Sequence, residues 1–121
     1  MELIIGGAFQ GKLDYAKETY GLNDVDIYEC SETCAIDTDR RAYNHFERYL
    51  LYCCRNGLKP VLEFQEGTVV IMDDIFCGVV PAEKDIREWR EFCGRAGGEL
   101  TKNATSVTRI FCGLPQSLKK K

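Results

Sequence analysis

The chain opens on a strand that runs straight into glycine: Met1-Glu2-Leu3-Ile4-Ile5 is short and almost wholly apolar, and Gly6-Gly7 ends it. Such a run suits a parallel strand covered on both faces. From Gly11 to about Tyr20, apolar Leu13, Ala16 and Tyr20 recur at helical spacing until Gly21 stops them. Strand, glycine-rich loop, helix is therefore the opening unit.

The alternation continues. Asp24-Val25-Asp26-Ile27-Tyr28 alternates polar and apolar residues and reads as a second strand, near a sheet edge because only one face is apolar. After a polar loop, Ser31 to Thr38, the spacing predicts the longest helix from Asp39 to Asn56. On it Tyr43, Phe46, Leu50 and Cys53 form one apolar stripe, and Gly57 follows as a stop. Val61 to Phe64 reads as a short strand or an extended approach. Thr68-Val69-Val70-Ile71-Met72 is β-branched, continuous and apolar, a central strand ending in Asp73-Asp74. A loop through Gly78 and Pro81 leads to a helix from about Ala82 to Ala96, with Ile86, Trp89, Phe92 and Cys93 on its buried side. Gly97-Gly98 interrupts it, a short helix continues to Asn103, and Val107 to Cys112 is the last strand. This order predicts an α/β fold with a mainly parallel sheet, right-handed crossovers and helices on both faces. Ligands of such sheets bind beyond the carboxyl ends of the strands.

With 121 residues, a second core would leave each half too small to bury enough surface, so residues 1–121 are expected to form one domain. A net charge of -3 provides no overall positive field for a phosphate backbone, which argues against nucleic acid as a partner. The basic run Lys119 to Lys121 reads as a solvated, frayed tail. No apolar run approaches the roughly 18 residues of a membrane span, and no export signal is visible, so a cytoplasmic protein without membrane attachment is expected. Seven cysteines, an odd number, then read as reduced thiols. Cys30, Cys34, Cys53 and Cys54, with His45, offer zinc-ligand chemistry but lack the paired Cys-x2-Cys knuckles of structural sites, so buried thiols are the better reading.

Two segments at strand ends carry chemistry. Gly6-Gly7-Ala8-Phe9-Gln10-Gly11-Lys12 fits the Gly-x4-Gly-Lys part of a phosphate loop, where backbone N–H groups converge on phosphates and the lysine adds a mobile positive charge. It points to a P-loop NTPase-like three-layer fold binding GTP or ATP. The next position should carry a hydroxyl for Mg2+ but holds Leu13. Asp73 and Asp74 stand where such proteins place the acidic group that organises magnesium or the attacking group, and they are the expected metal ligands. His45, the single histidine, is expected on the long helix beside the core stripe, as a half-exposed surface residue or as a catalytic nucleophile or proton carrier.

Together these segments resemble the bacterial adenosylcobinamide kinase / adenosylcobinamide-phosphate guanylyltransferase family of cobalamin biosynthesis. The resemblance is carried by Ile4 to Lys12, by Asp73-Asp74-Ile75-Phe76-Cys77-Gly78-Val79-Val80-Pro81, by Trp89-Arg90-Glu91-Phe92-Cys93-Gly94-Arg95, and by Gly113-Leu114-Pro115-Gln116-Ser117-Leu118-Lys119. The four blocks, in the family's order, cover about a quarter of the chain. The resemblance implies a GTP- or ATP-dependent kinase acting on a corrinoid hydroxyl, then transfer of GMP to the new phosphate through a covalent guanylyl-histidine. It implies that Gly6, Gly7, Gly11 and Lys12 cradle phosphates, that Asp74 stands for the family's glutamate and Asp73 for the asparagine before it, that His45 is the guanylylated residue, and that the protein forms a homo-oligomer. The chain departs from the family at Leu13 and at Gly97-Gly98, which replace the loop hydroxyl and an Asn-Gln pair, and it is shorter than typical members. A non-catalytic nucleotide- or corrinoid-binding module is the competing expectation, and Leu13 favours it.

Overall fold

The computed structural model describes residues 1–74 and 84–120. The loop through Gly78 and Pro81, the helix start at Ala82, Cys77 and Lys121 lie outside the described residues. The elements are β1 (Glu2–Gly6), α1 (Lys12–Tyr20), β2 (Ile27–Glu29), β3 (Ala42–Asn44), α2 (Phe46–Asn56), β4 (Val69–Asp73), α3 (Lys84–Asn103), β5 (Ser106–Phe111) and β6 (Leu114–Lys119), with a short 3-10 helix at Asp24–Asp26. The six strands make one sheet in the order β2-β3-β4-β1-β5-β6. Every neighbouring pair is parallel except β5 and β6.

The apolar runs are continuous because the central strands are covered on both faces. Along β1 and β4 successive side chains alternate between two cores. Leu3, Val70 and Met72 pack with Phe46, Leu50, Cys93 and Leu100 of α2 and α3. Ile4, Val69 and Ile71 pack with Ala16 of α1, Leu22 and Ile110. Both sets are almost fully enclosed, and each buried Leu, Ile, Val, Phe or Met among them contributes about 1.5–3 kcal/mol. The result is a three-layer α/β architecture. Among the described residues no helix is long and apolar enough to cross a membrane.

Several boundaries differ from the sequence expectation. The long helix does not begin at Asp39: Ala42–Asn44 pairs between β2 and β4, and α2 starts only at Phe46. Tyr43 is buried as expected, but as a strand residue, because its spacing to Phe46 and Leu50 imitates one more helical turn. The second strand is reduced to Ile27–Glu29 by the 3-10 helix before it, though it does lie at the sheet edge. Val61 to Phe64 forms no strand; Leu62 and Phe64 pack on the core from an irregular segment, Phe64 against the rings of Tyr43 and Phe46. Helix α3 runs unbroken through Gly97-Gly98 to Asn103, since packing of Cys93, Ala96 and Leu100 outweighs a propensity cost of about 1 kcal/mol per glycine. Val107 to Cys112 is not the last strand, because β6 turns back along it. Lys119 is no frayed tail: it ends β6, and its ammonium donates to the carbonyls of Thr101 and Lys102 at 2.9 and 3.2 Å, at the negative end of α3.

Candidate functional site

The glycine-rich segment lies beyond the carboxyl end of β1, as its sequence predicts, and Gly7, Ala8 and Phe9 are exposed. Its two ends are glycine for different reasons. A Cβ on Gly6 would sit 2.5 Å from the Ile110 carbonyl oxygen, so the sheet itself requires glycine there. Gly11 has φ 89°, the left-handed conformation that L side chains resist, and from it the chain enters α1. Phe9 is also left-handed, at φ 61°. Gln10 fastens the loop to the β5–β6 turn. Its side-chain Oε1 accepts the Cys112 N–H at 2.6 Å, and its carbonyl accepts that of Gly113 at 2.8 Å. The Tyr15 N–H bonds back to Gly11 at 3.0 Å, which leaves the amides of Lys12, Leu13 and Asp14 at the open, positive end of α1.

Lys12 is only 7% exposed, so its charge has to be balanced inside the protein. The ammonium donates to the Gly7 carbonyl at 2.6 Å and pairs with Asp73 at 2.8 Å. Asp73 ends β4, beside Gly6 in register, and so meets the loop across the sheet. Its own N–H donates to Glu47 Oε1 at 2.8 Å. Glu47 lies in the first turn of α2, where burial pushes its carboxyl above the ordinary carboxylate range, opposed by the Asp73 N–H.

His45 is not a helical residue. It is the N-cap of α2, left-handed at φ 53°, and caps nothing with its side chain. Its Nδ1 meets Glu29 Oε1 at the end of β2, while Glu29 Oε2 accepts from the side-chain amide of Asn44 at 2.9 Å. Ligand atoms of His45, Glu47 and Asp73 lie within 4.8 Å of one another. No cysteine belongs to this group, and none of the six described cysteines forms a disulfide. Burial raises the Cys30 and Cys93 thiols far above the usual range, as expected for inert core thiols.

These parts meet at one open cavity of about 430 Å3, lined by Ala8, Phe9, Gln10, Gly11 and Lys12 of the loop and by His45, Arg48 and Asp73. Of the residues singled out in the sequence, Gly6, Gly7 and Asp74 do not line it. The Asp74 N–H instead donates to the Gly6 carbonyl at 2.8 Å, tying β4 to the start of the loop. Glu29, Asn44 and Glu47 carry no motif and escape a reading by pattern. The signal that finds Glu47 is an acidic residue two places beyond the single histidine, once β3 is known to end at Asn44. Compared with known proteins, the chain matches no protein-family model and no curated sequence.

Proposed function

We propose that this chain is a P-loop protein that binds ATP or GTP and transfers a phosphoryl group or GMP to a corrinoid precursor, the chemistry implied by its resemblance to the cobinamide kinase and guanylyltransferase family. One observation carries the reading: residues 8–12, Asp73 and His45, from three separate stretches of chain, line the same cavity at the carboxyl ends of β1, β3 and β4. A phosphate-binding loop, an acidic group and a nucleophile are the parts that nucleotidyl transfer needs within reach of one another.

In this reading the nucleotide phosphates lie over the first-turn amides of α1, and Lys12 exchanges the Gly7 carbonyl for a phosphate oxygen. Asp73 keeps Lys12 oriented until then. The donor set also fits Mg2+, which binds through one or two carboxylates plus substrate phosphates and retains water: Asp73 would hold it, with water where Leu13 has no hydroxyl. Bound there, the ion neutralises phosphate charge. The second reading, a binding module without turnover, is favoured by Leu13 alone.

Calorimetric titration of ATP and GTP tests the loop. A charge-assisted hydrogen bond contributes about 1.5–3 kcal/mol, so Lys12→Ala should weaken binding by about tenfold to a hundredfold. Equal affinity in wild type and variant would remove the loop from the site.

A further inference from the structure

β2 and β3 pair in parallel with Glu29 opposite Asn44, so the two strand ends present a carboxylate and an amide side by side. The carboxylate is divided between two partners: one oxygen accepts from the buried Asn44 amide at 2.9 Å, and the other faces His45 Nδ1. Asn44 thereby stops Glu29 from turning away. The His45 backbone is held too, its carbonyl accepting the Arg48 N–H at 2.9 Å. An ionised carboxylate only accepts hydrogen bonds, so the hydrogen between the two side chains sits on Nδ1. The lone pair of the neutral ring is then on Nε2, in a residue that lines the cavity shared with Lys12.

We propose that Glu29 is a positioning residue for His45, fixing the tautomer that makes Nε2 the nucleophile toward the α-phosphorus of a nucleoside triphosphate; this rests on the nucleotidyl-transfer reading above. The Nε2 lone pair forms a P–N bond, the bond from the α-phosphorus to the bridging oxygen breaks, and pyrophosphate leaves with that electron pair. The ring keeps its Nδ1 hydrogen and becomes positively charged, facing the Glu29 carboxylate. A phosphate oxygen of the acceptor then attacks the same phosphorus, and the P–N electrons return to Nε2. A base oriented by a carboxylate at its second nitrogen is a recurring arrangement in nucleophilic catalysis.

His45 is the only histidine, so its ring nitrogens can be read directly in a long-range 1H–15N spectrum of the whole protein in mildly alkaline buffer. The expected wild-type spectrum is that of the Nδ1–H tautomer, shifting toward Nε2–H in Glu29→Ala. A wild-type ring already in the Nε2–H form, or a folded Glu29→Ala protein with the wild-type pattern, overturns the proposal. The second readout is acid-labile label from GTP carrying 32P at the α position. Label formation should slow by at least about tenfold in Glu29→Ala and in the shape-preserving Glu29→Gln, and vanish in His45→Ala. Label lost in His45→Ala but formed at the wild-type rate in both Glu29 variants sinks the positioning role and leaves the transfer reading standing. No label on wild type sinks the transfer reading, while the tautomer spectrum still decides what Glu29 does to the ring.

Discussion

Helices α1 and α2 start in the same unusual way, each on a left-handed residue that gives its first turn no side-chain cap, and both starts border one cavity. They differ in what occupies that position. Gly11 adopts φ 89° without steric penalty, whereas His45 holds φ 53° against the clash between its Cβ and the backbone, at a cost of about 1 kcal/mol. Helix starts favour serine, threonine, aspartate or asparagine, and neither helix uses one. The α1 start is open and leaves its amides available; the α2 start trades local stability for an imidazole at a set place. Strain kept where an easier residue exists is a feature of functional positions.

The largest expected effect comes from making the first start resemble the second. Gly11→Ala puts a Cβ into the left-handed region and should lower stability by about 1.5 kcal/mol, or several degrees in Tm by calorimetry. An unchanged Tm would mean that the loop readily adopts another path.

A smaller effect separates the two first turns, since α1 carries exposed Asp14 and α2 carries buried Glu47. Burial raises the Glu47 pKa in the folded state, so its contribution to stability is full below its ordinary value of 4.5 and is lost as pH rises through the raised value. Melting curves of Glu47→Gln should therefore coincide with wild type in acid and lie a few degrees higher at neutral pH. A gap that stays constant with pH would show that Glu47 does not titrate in the folded protein.

The smallest effect has the opposite sign to the first. His45→Gly relieves about 1 kcal/mol of strain and gives up a part-exposed hydrogen bond to Glu29 of about 0.5 kcal/mol, for a net gain near 0.5 kcal/mol by urea unfolding. A loss of stability would show that His45 is kept for the fold, and the contrast between the two starts would collapse.

What could be read from the sequence follows the same division. β1, β4 and the glycine-rich loop were legible because burial on both faces writes a continuous apolar run, and the loop must break it with glycine. β3 was not legible. Ala42-Tyr43-Asn44 is three residues long, too short to alternate, and Tyr43 falls in phase with the stripe of α2. Hiding that strand moved His45 onto a helix and left nothing in the pattern to single out Glu47. β6 was hidden by its composition: Pro115, Gln116 and Ser117 suit an exposed edge strand, whose pairing leaves no apolar signature. Glu29 and Asn44 are ordinary polar residues until the parallel register of β2 and β3 sets them side by side.

The clamp between Lys119 and the last carbonyls of α3 has a consequence for how the molecule comes apart. Most of β6 is exposed, so beyond its ladder with β5 and the tie of Gln10 to the turn before it, its far end is held by one ammonium at a helix's negative end. Mobile ions weaken that attraction while leaving the two apolar layers untouched. Rising ionic strength should therefore loosen the far end of this outer ribbon first, while the interior keeps its hold.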